Sequence, residues 1–165
     1  MGLEIPGELA SLLSLLGYDW PESDETKLFE LAGVWTGMAD QINSSVEQLN
    51  AAARTVLENN SGDGFAAFAT EWNDEESAPR NIGDAVMPAN IIGIGLMVSA
   101  GIVLVLKIQV IVQLILLAIQ IAQAIATAAV TFGASLLEIP IFKIISGMII
   151  DQLIGMAVDA VLNGG

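Results

Sequence analysis

The pattern of apolar and polar positions changes abruptly near the middle of the chain. Residues 85–137 form a stretch of 53 residues with one formal charge, Lys107, between charge-free runs of 22 and 30 residues. Two interpretations of this stretch are open. It is a membrane-spanning segment, since about 20 apolar residues suffice to cross a bilayer, or it is a helix that other helices enclose on nearly all sides.

The residues around Lys107 favour one uninterrupted helix. Residues 102–131 contain no Gly, Pro, Asn, Asp or Ser, so a tight turn has no suitable residue. A helix over residues 89–134 is about 69 Å long, which exceeds the roughly 30 Å hydrocarbon core of a bilayer. We therefore favour a soluble bundle, with Ile115 and Ile119 buried. A row of uncharged polar side chains predicts an edge that faces water or a partner protein: Gln109, Gln113, Gln120, Gln123, Thr127, Thr131 and Ser135.

A heptad pattern runs through the first half of the chain and predicts a long helix over residues 24–59. One seam position holds Leu28, Trp35, Ile42, Leu49 and Val56, and the other holds Leu31, Met38, Ser45 and Ala52. A single apolar seam needs a partner helix, either residues 85–137 or another molecule.

Shorter helices are predicted on either side of these long elements. Residues 6–16 carry a leucine face, residues 65–72 place Phe65, Phe68 and Trp72 on one side, and residues 141–162 form the last helix after a turn at 138–140. Trp20 precedes a proline in a connector and is interpreted as a packing anchor. No segment alternates as a strand does. The predicted fold is all-α: a single domain over 1–165, an elongated bundle of long antiparallel helices with short N-terminal and linker helices.

Charge is distributed unevenly between the two halves. Residues 1–80 hold 15 acidic and three basic side chains, whereas residues 81–165 hold four and two, which gives the net charge of −14. The chain is an acidic amphipathic half followed by an apolar half. Such a charge argues against nucleic acid as a partner and against attraction to anionic lipid. The N-terminus lacks the basic residues of a Sec signal peptide, so we expect either cytoplasmic residence or export by another route.

The residues that carry most enzyme chemistry are missing. The chain has no His and no Cys, and its glycines do not match a phosphate-binding loop. The acidic run over residues 74–76 is interpreted as a solvated surface rather than a metal site. Lys107 is interpreted as a side chain whose ammonium group reaches water at the edge of the bundle. We expect no catalytic residue, no cofactor and no metal, and hence no enzyme.

Several short motifs resemble a known family. Trp20-Pro21 with Asp24, then Leu28, Leu31 and Trp35, then the run over residues 62–68 with Trp72, resemble the N-terminal WXG100-like domain of actinobacterial type VII (ESX) secretion substrates, as found in CpnT-like polymorphic toxins. The long apolar stretch with its internal Lys107 is similar to that family as well.

The resemblance implies a non-enzymatic export and interaction module. Its expected partner is a helical protein, either the type VII machinery, a WXG100-like subunit or a second copy. It implies a cytoplasmic protein that is then secreted independently of Sec or held at the cell envelope. We expect no toxic domain within residues 1–165. The alternative is a membrane-active or pore-forming domain built on residues 85–137. Two family features differ here. The W-x-G motif of the small WXG100 proteins lies in the turn between two helices, whereas Trp35-Thr-Gly37 lies inside the heptad. The export signal Tyr-x-x-x-Asp/Glu has its spacing only in Tyr18 and Glu22, which lie in a different context.

Overall fold

A computed structural model describes residues 2–163, and none of them forms a strand. The all-α prediction is confirmed. Six α-helices follow one another along the chain, with one 3₁₀ helix, Ala134–Leu137, before the last: α1 Gly7–Leu15, α2 Glu25–Asn59, α3 Asp63–Trp72, α4 Ala78–Gly83, α5 Val86–Thr127 and α6 Glu138–Asn163.

Contacts divide the chain into two compact units. The first contains the residues up to Lys27 and those from Ser99 onwards, and the second contains Leu28–Val98. The single domain over 1–165 stays a prediction.

The core of the first unit forms around Leu13, Val110, Leu114 and Ile150. The leucine face of α1 packs there, as its spacing predicts, and Gly17 ends the turn after α1 in the left-handed conformation at φ 88°. Helices α5 and α6 form an antiparallel hairpin. Ser135 contacts Ala124 near the turn, and Ser146 contacts Gln113 farther from it. The partner after the turn therefore lies later in the sequence as the partner on α5 lies earlier, so the two helices run in opposite directions.

In the second unit, α2 and the first part of α5 also run antiparallel. Gly93 on α5 lies against Ala32 and Thr36 of α2. Gly83, which precedes α5 at the end of α4, lies near Val46, a later residue of α2. Trp72 of α3 donates a hydrogen bond from its indole N–H to the Asn50 side chain, at 2.9 Å. This bond attaches the short helix to α2.

Two predicted boundaries were wrong. Helix α5 ends at Thr127, not near residue 134, because the chain turns through Phe132 and Gly133, which both have positive φ. The expected turn at residues 138–140 is instead the first turn of α6. Pro140 is tolerated there because the first N–H groups of a helix have no intrahelical partner.

Candidate functional site: a buried ion pair and the exposed helix faces

Lys107 lies inside the first unit and not at a water-facing edge. Its side chain is 3% exposed and its Nζ is 2.8 Å from Oε2 of Glu25, whose side chain is 5% exposed. Nζ also donates to the Ser23 carbonyl oxygen at 2.6 Å and lies 5.8 Å from the centre of the Trp20 ring. The interpretation of Lys107 as a side chain reaching water was wrong, because these partners replace its hydration.

Glu25 is held in its ionised form by the groups around it. Burial raises the pKa of the Glu25 carboxyl, but hydrogen bonds from Lys107 and from the backbone N–H of Leu3 outweigh burial, and the pKa lies below its usual value. The N-terminal segment thus closes over the pair. A buried pair of this kind is costly to break, since one charge would remain without a partner.

The pair belongs to two rows of buried residues, one on each helix. Fully buried positions of α2 recur every seven residues at Glu25, Ala32 and Ala39, and Ala53 continues the same series. In α5, Lys107 follows Ala100 by seven residues, and the fully buried positions recur at steps of three, four or seven: Ala89, Gly93, Ala100, Lys107, Val110, Leu114, Leu117 and Ala124. Each helix therefore carries one charge in a row of small or apolar buried residues, and the two charges are opposite.

The intrachain seam of α2 consequently differs from the predicted one. Its buried row consists of small alanines, whereas Leu31 and Met38 are 44% and 39% exposed, and Ser45 and Ala52 are exposed as well. Of the other predicted seam position, Leu28, Trp35 and Ile42 are half-buried and Leu49 is 41% exposed. Leucine spacing did not identify the intrachain row, because that row consists of alanines, which allow close approach of two helices, and the seam for another molecule stays a prediction.

The remaining predicted aromatic residues are half-buried in their own units. Trp20 packs against the core of the first unit. In the second unit, Phe65 and Phe68 lie on α3, and the rings of Phe68 and Trp72 are 5.3 Å apart. Phe68 and Trp72 line an open cleft of about 830 Å³ with Pro79 and acidic neighbours. Within residues 2–163, no group of three His, Cys, Asp or Glu side chains is placed to hold a metal ion.

Polar side chains share the interior of the α5–α6 hairpin with the apolar core around Val110, Leu114 and Ile150, while many other large apolar side chains of both helices face outward. Gln113 donates to Ser146 at 3.1 Å, and Ser135 donates to the Ala124 carbonyl oxygen at 2.7 Å, so the interior holds polar side chains. Ile115 and Ile119, which we expected to be buried, are 44% and 48% exposed. The outward residues of α6 follow the same rule, with exposures between 37% and 75%: Ile141, Ile144, Ile145, Met148, Ile149, Met156, Val158, Val161 and Leu162.

Two helical segments are long and apolar enough to cross a bilayer, Ala78–Thr127 and Ala134–Asn163. Length and composition are weak evidence, because the core helix of a soluble protein has both. Here, however, just 22% and 11% of their most apolar windows are buried. Burial in this chain therefore does not account for their hydrophobicity.

Comparison with known proteins identifies the family. Residues 6–146 match the family described as the WXG100 like domain. The chain belongs to this family, as its motifs predicted, and it is a helical protein related to type VII secretion. The family's proteins are helical, are secreted by that system and self-associate or pair with partners. No curated protein and no solved structure matches the chain.

Proposed function

We propose that this protein is a non-enzymatic export and interaction module of type VII secretion, equivalent to the delivery domain at the head of a polymorphic toxin. The observation that carries the proposal is the family match over residues 6–146, which includes every aromatic residue of the resemblance. Its route is independent of Sec, and the protein is cytoplasmic before export.

The exposed face of α2 supports a partner helix. Leu31, Val34 and Met38 are 44%, 66% and 39% exposed and lie at steps of three and four, so they form one stripe on the helix. Because the intrachain seam uses a different row, this stripe remains free for a second helical chain, either a WXG100-like subunit or another copy.

Light scattering coupled to size-exclusion chromatography tests this function. The 17.3 kDa chain is run alone and with a co-expressed WXG100-like subunit. We expect a complex that Leu31→Asp with Met38→Asp abolishes. Gln41→Asp with Gln48→Asp is the matched control, since it adds the same charges at exposed polar positions of α2. A chain that stays at 17.3 kDa in both experiments would refute the partner-binding proposal.

The absence of catalysis is part of the same proposal. Lys107 and Glu25, the ionisable residues buried among 2–163, bond to each other and are closed off from substrate. A chemical role for either would require the first unit to open.

A second candidate function is a membrane-active domain, and the outward apolar residues of the α5–α6 hairpin favour it. Helices in lipid present large aliphatic side chains outward, and many such side chains of the hairpin are exposed here, although Leu114 and Ile150 are buried in the core. Release of a trapped dye from lipid vesicles tests this candidate. Vesicles that stay sealed at micromolar protein would argue against a pore.

A further inference from the structure

The turn that joins α5 to α6 is unusually apolar. We define the hairpin tip as residues 128–137, which include the 3₁₀ helix. Val130 is 80% exposed, Phe132 is 98% exposed and Leu137 is 76% exposed. Helix connections are normally polar, because water covers them. These three side chains contact almost nothing in their own chain.

Phe132 is also held in a conformation that its side chain disfavours. It has φ 51° and is the sole residue among 2–163 other than glycine with a positive φ. A bulky residue is rare in the left-handed region, where Gly, Asn and Asp are preferred. Burial does not compensate for this strain. A strained and exposed aromatic residue therefore points to a role outside the folded chain.

Several polar groups of the tip are hydrogen-bonded within the hairpin. The Thr131 hydroxyl donates to the Thr127 carbonyl oxygen at 3.0 Å, and the Gly133 N–H donates to the Ala128 carbonyl oxygen at 2.8 Å. The Ser135 hydroxyl bonds to Ala124 as described above. No charged residue occurs from Ile108 to Leu137. Internal pairing of these groups lowers the cost of moving the tip from water to the lipid interface.

We propose that the hairpin tip docks on a lipid bilayer with neutral, zwitterionic headgroups and that Phe132 enters the acyl region first. A protruding set of apolar side chains fits deformable lipid without a matching pocket. The net charge of −14 disfavours anionic headgroups. Glu138 is exposed and directly follows the tip, so it stays at the level of the headgroups, and only the Phe132 side chain reaches the adjoining acyl region. This inference rests on the membrane-active candidate and is independent of the partner stripe on α2.

Site-specific fluorescence tests the proposal, because the native chain has no Cys. An environment-sensitive dye is attached to Val130→Cys at the tip, which keeps Phe132, to Ile119→Cys on the shaft of α5 and to Leu162→Cys near the far end of α6. On adding phosphatidylcholine vesicles, we expect a blue shift at position 130 and none at 119 or 162. Equal shifts at all three would overturn tip docking in favour of whole-hairpin insertion. No shift at any of them would overturn lipid contact and leave the partner-binding function intact.

Vesicle flotation compares a variant at the tip with a matched variant away from it. We expect Phe132→Asn to lower the vesicle-bound fraction at least tenfold, whereas Leu162→Asn, at a position 75% exposed, leaves it unchanged. Thermal melts of Phe132→Asn test for misfolding. Asn adopts the left-handed conformation more readily than Phe, so we expect the Tm of this variant to equal or exceed that of wild type. Wild-type flotation of Phe132→Asn would refute the role of this residue. Stronger binding to anionic than to zwitterionic vesicles would refute the headgroup assignment.

Discussion

Lys107 and Glu25 are the two residues on which we expect the stability of the first unit to depend most. Replacing Lys107 by Met leaves the Glu25 carboxylate buried without its partner, and breaking such a pair costs about 3–5 kcal/mol. We expect a loss of this size in denaturant melts of Lys107→Met. The double variant Lys107→Met with Glu25→Met removes both charges and should recover most of it. A loss below about 1 kcal/mol in the single variant, the range of surface substitutions, would contradict the burial.

Acid should weaken the same pair. The pKa of Glu25 is lower in the folded protein than in the unfolded chain, so its contribution to stability is present above the usual Glu pKa of about 4.3 and is lost as the pH falls through the lower, folded pKa. We expect the Tm of wild type to fall across this acidic range. Glu25→Gln lacks the titrating group, so its Tm should approach that of wild type as the pH falls. A Tm difference that stays constant with pH would argue against the pair.

At the scale of one helix, close approach explains a glycine in α5. A Cβ added at Gly93 would lie 2.7 Å from the Thr36 methyl carbon and 3.1 Å from the Ala32 carbonyl oxygen. We expect Gly93→Ala to lower the free energy of unfolding by about 1–3 kcal/mol, the range of overpacked cores.

The control lies two residues further along the same helix. A Cβ at Gly95 meets nothing within 4 Å, so Gly95→Ala should be neutral or raise stability by up to about 1 kcal/mol through helix propensity. If both variants changed stability equally, packing of α5 against α2 would not explain Gly93.

Most of the helices were readable from the sequence, but the short helix α4 and the pairing of the helices were not. The apolar period and the caps located α1, α2, α3 and α6 to within a few residues. The end of α5 was missed because Phe132, which the structure places in a left-handed turn, is not a turn-forming residue type. The pairs Lys107–Glu25 and Gln113–Ser146 join residues far apart in sequence. Local periodicity does not determine which rows of two helices meet, and small alanines gave little hydrophobic signal.

The charge of the whole molecule predicts a response to salt. Nineteen acidic side chains face five basic ones, and repulsion among like charges disfavours the compact state at low ionic strength. We expect the Tm to rise by a few degrees as NaCl increases from about 10 to 500 mM, since the Debye length falls from roughly 30 Å to a few ångström. The buried Lys107–Glu25 pair is shielded from added ions and should not reverse this trend. A Tm that falls with salt would show that attractive surface pairs dominate.

The division into two units has a consequence for the order in which a ribosome delivers the chain. Leu28–Val98 is contiguous, so all residues of the second unit have been made before Ser99 and the residues that follow it. The first unit joins both ends of the chain, and Leu13 meets Ile150 in its core. At about 5–20 residues per second, the N-terminal segment waits several seconds for that partner. During this interval the apolar residues of α5 after Ser99 emerge without α6, whose Ser146 and Ile150 later pack against them. Nascent chains of this protein should therefore depend on a chaperone or an early-binding partner until α6 has been released.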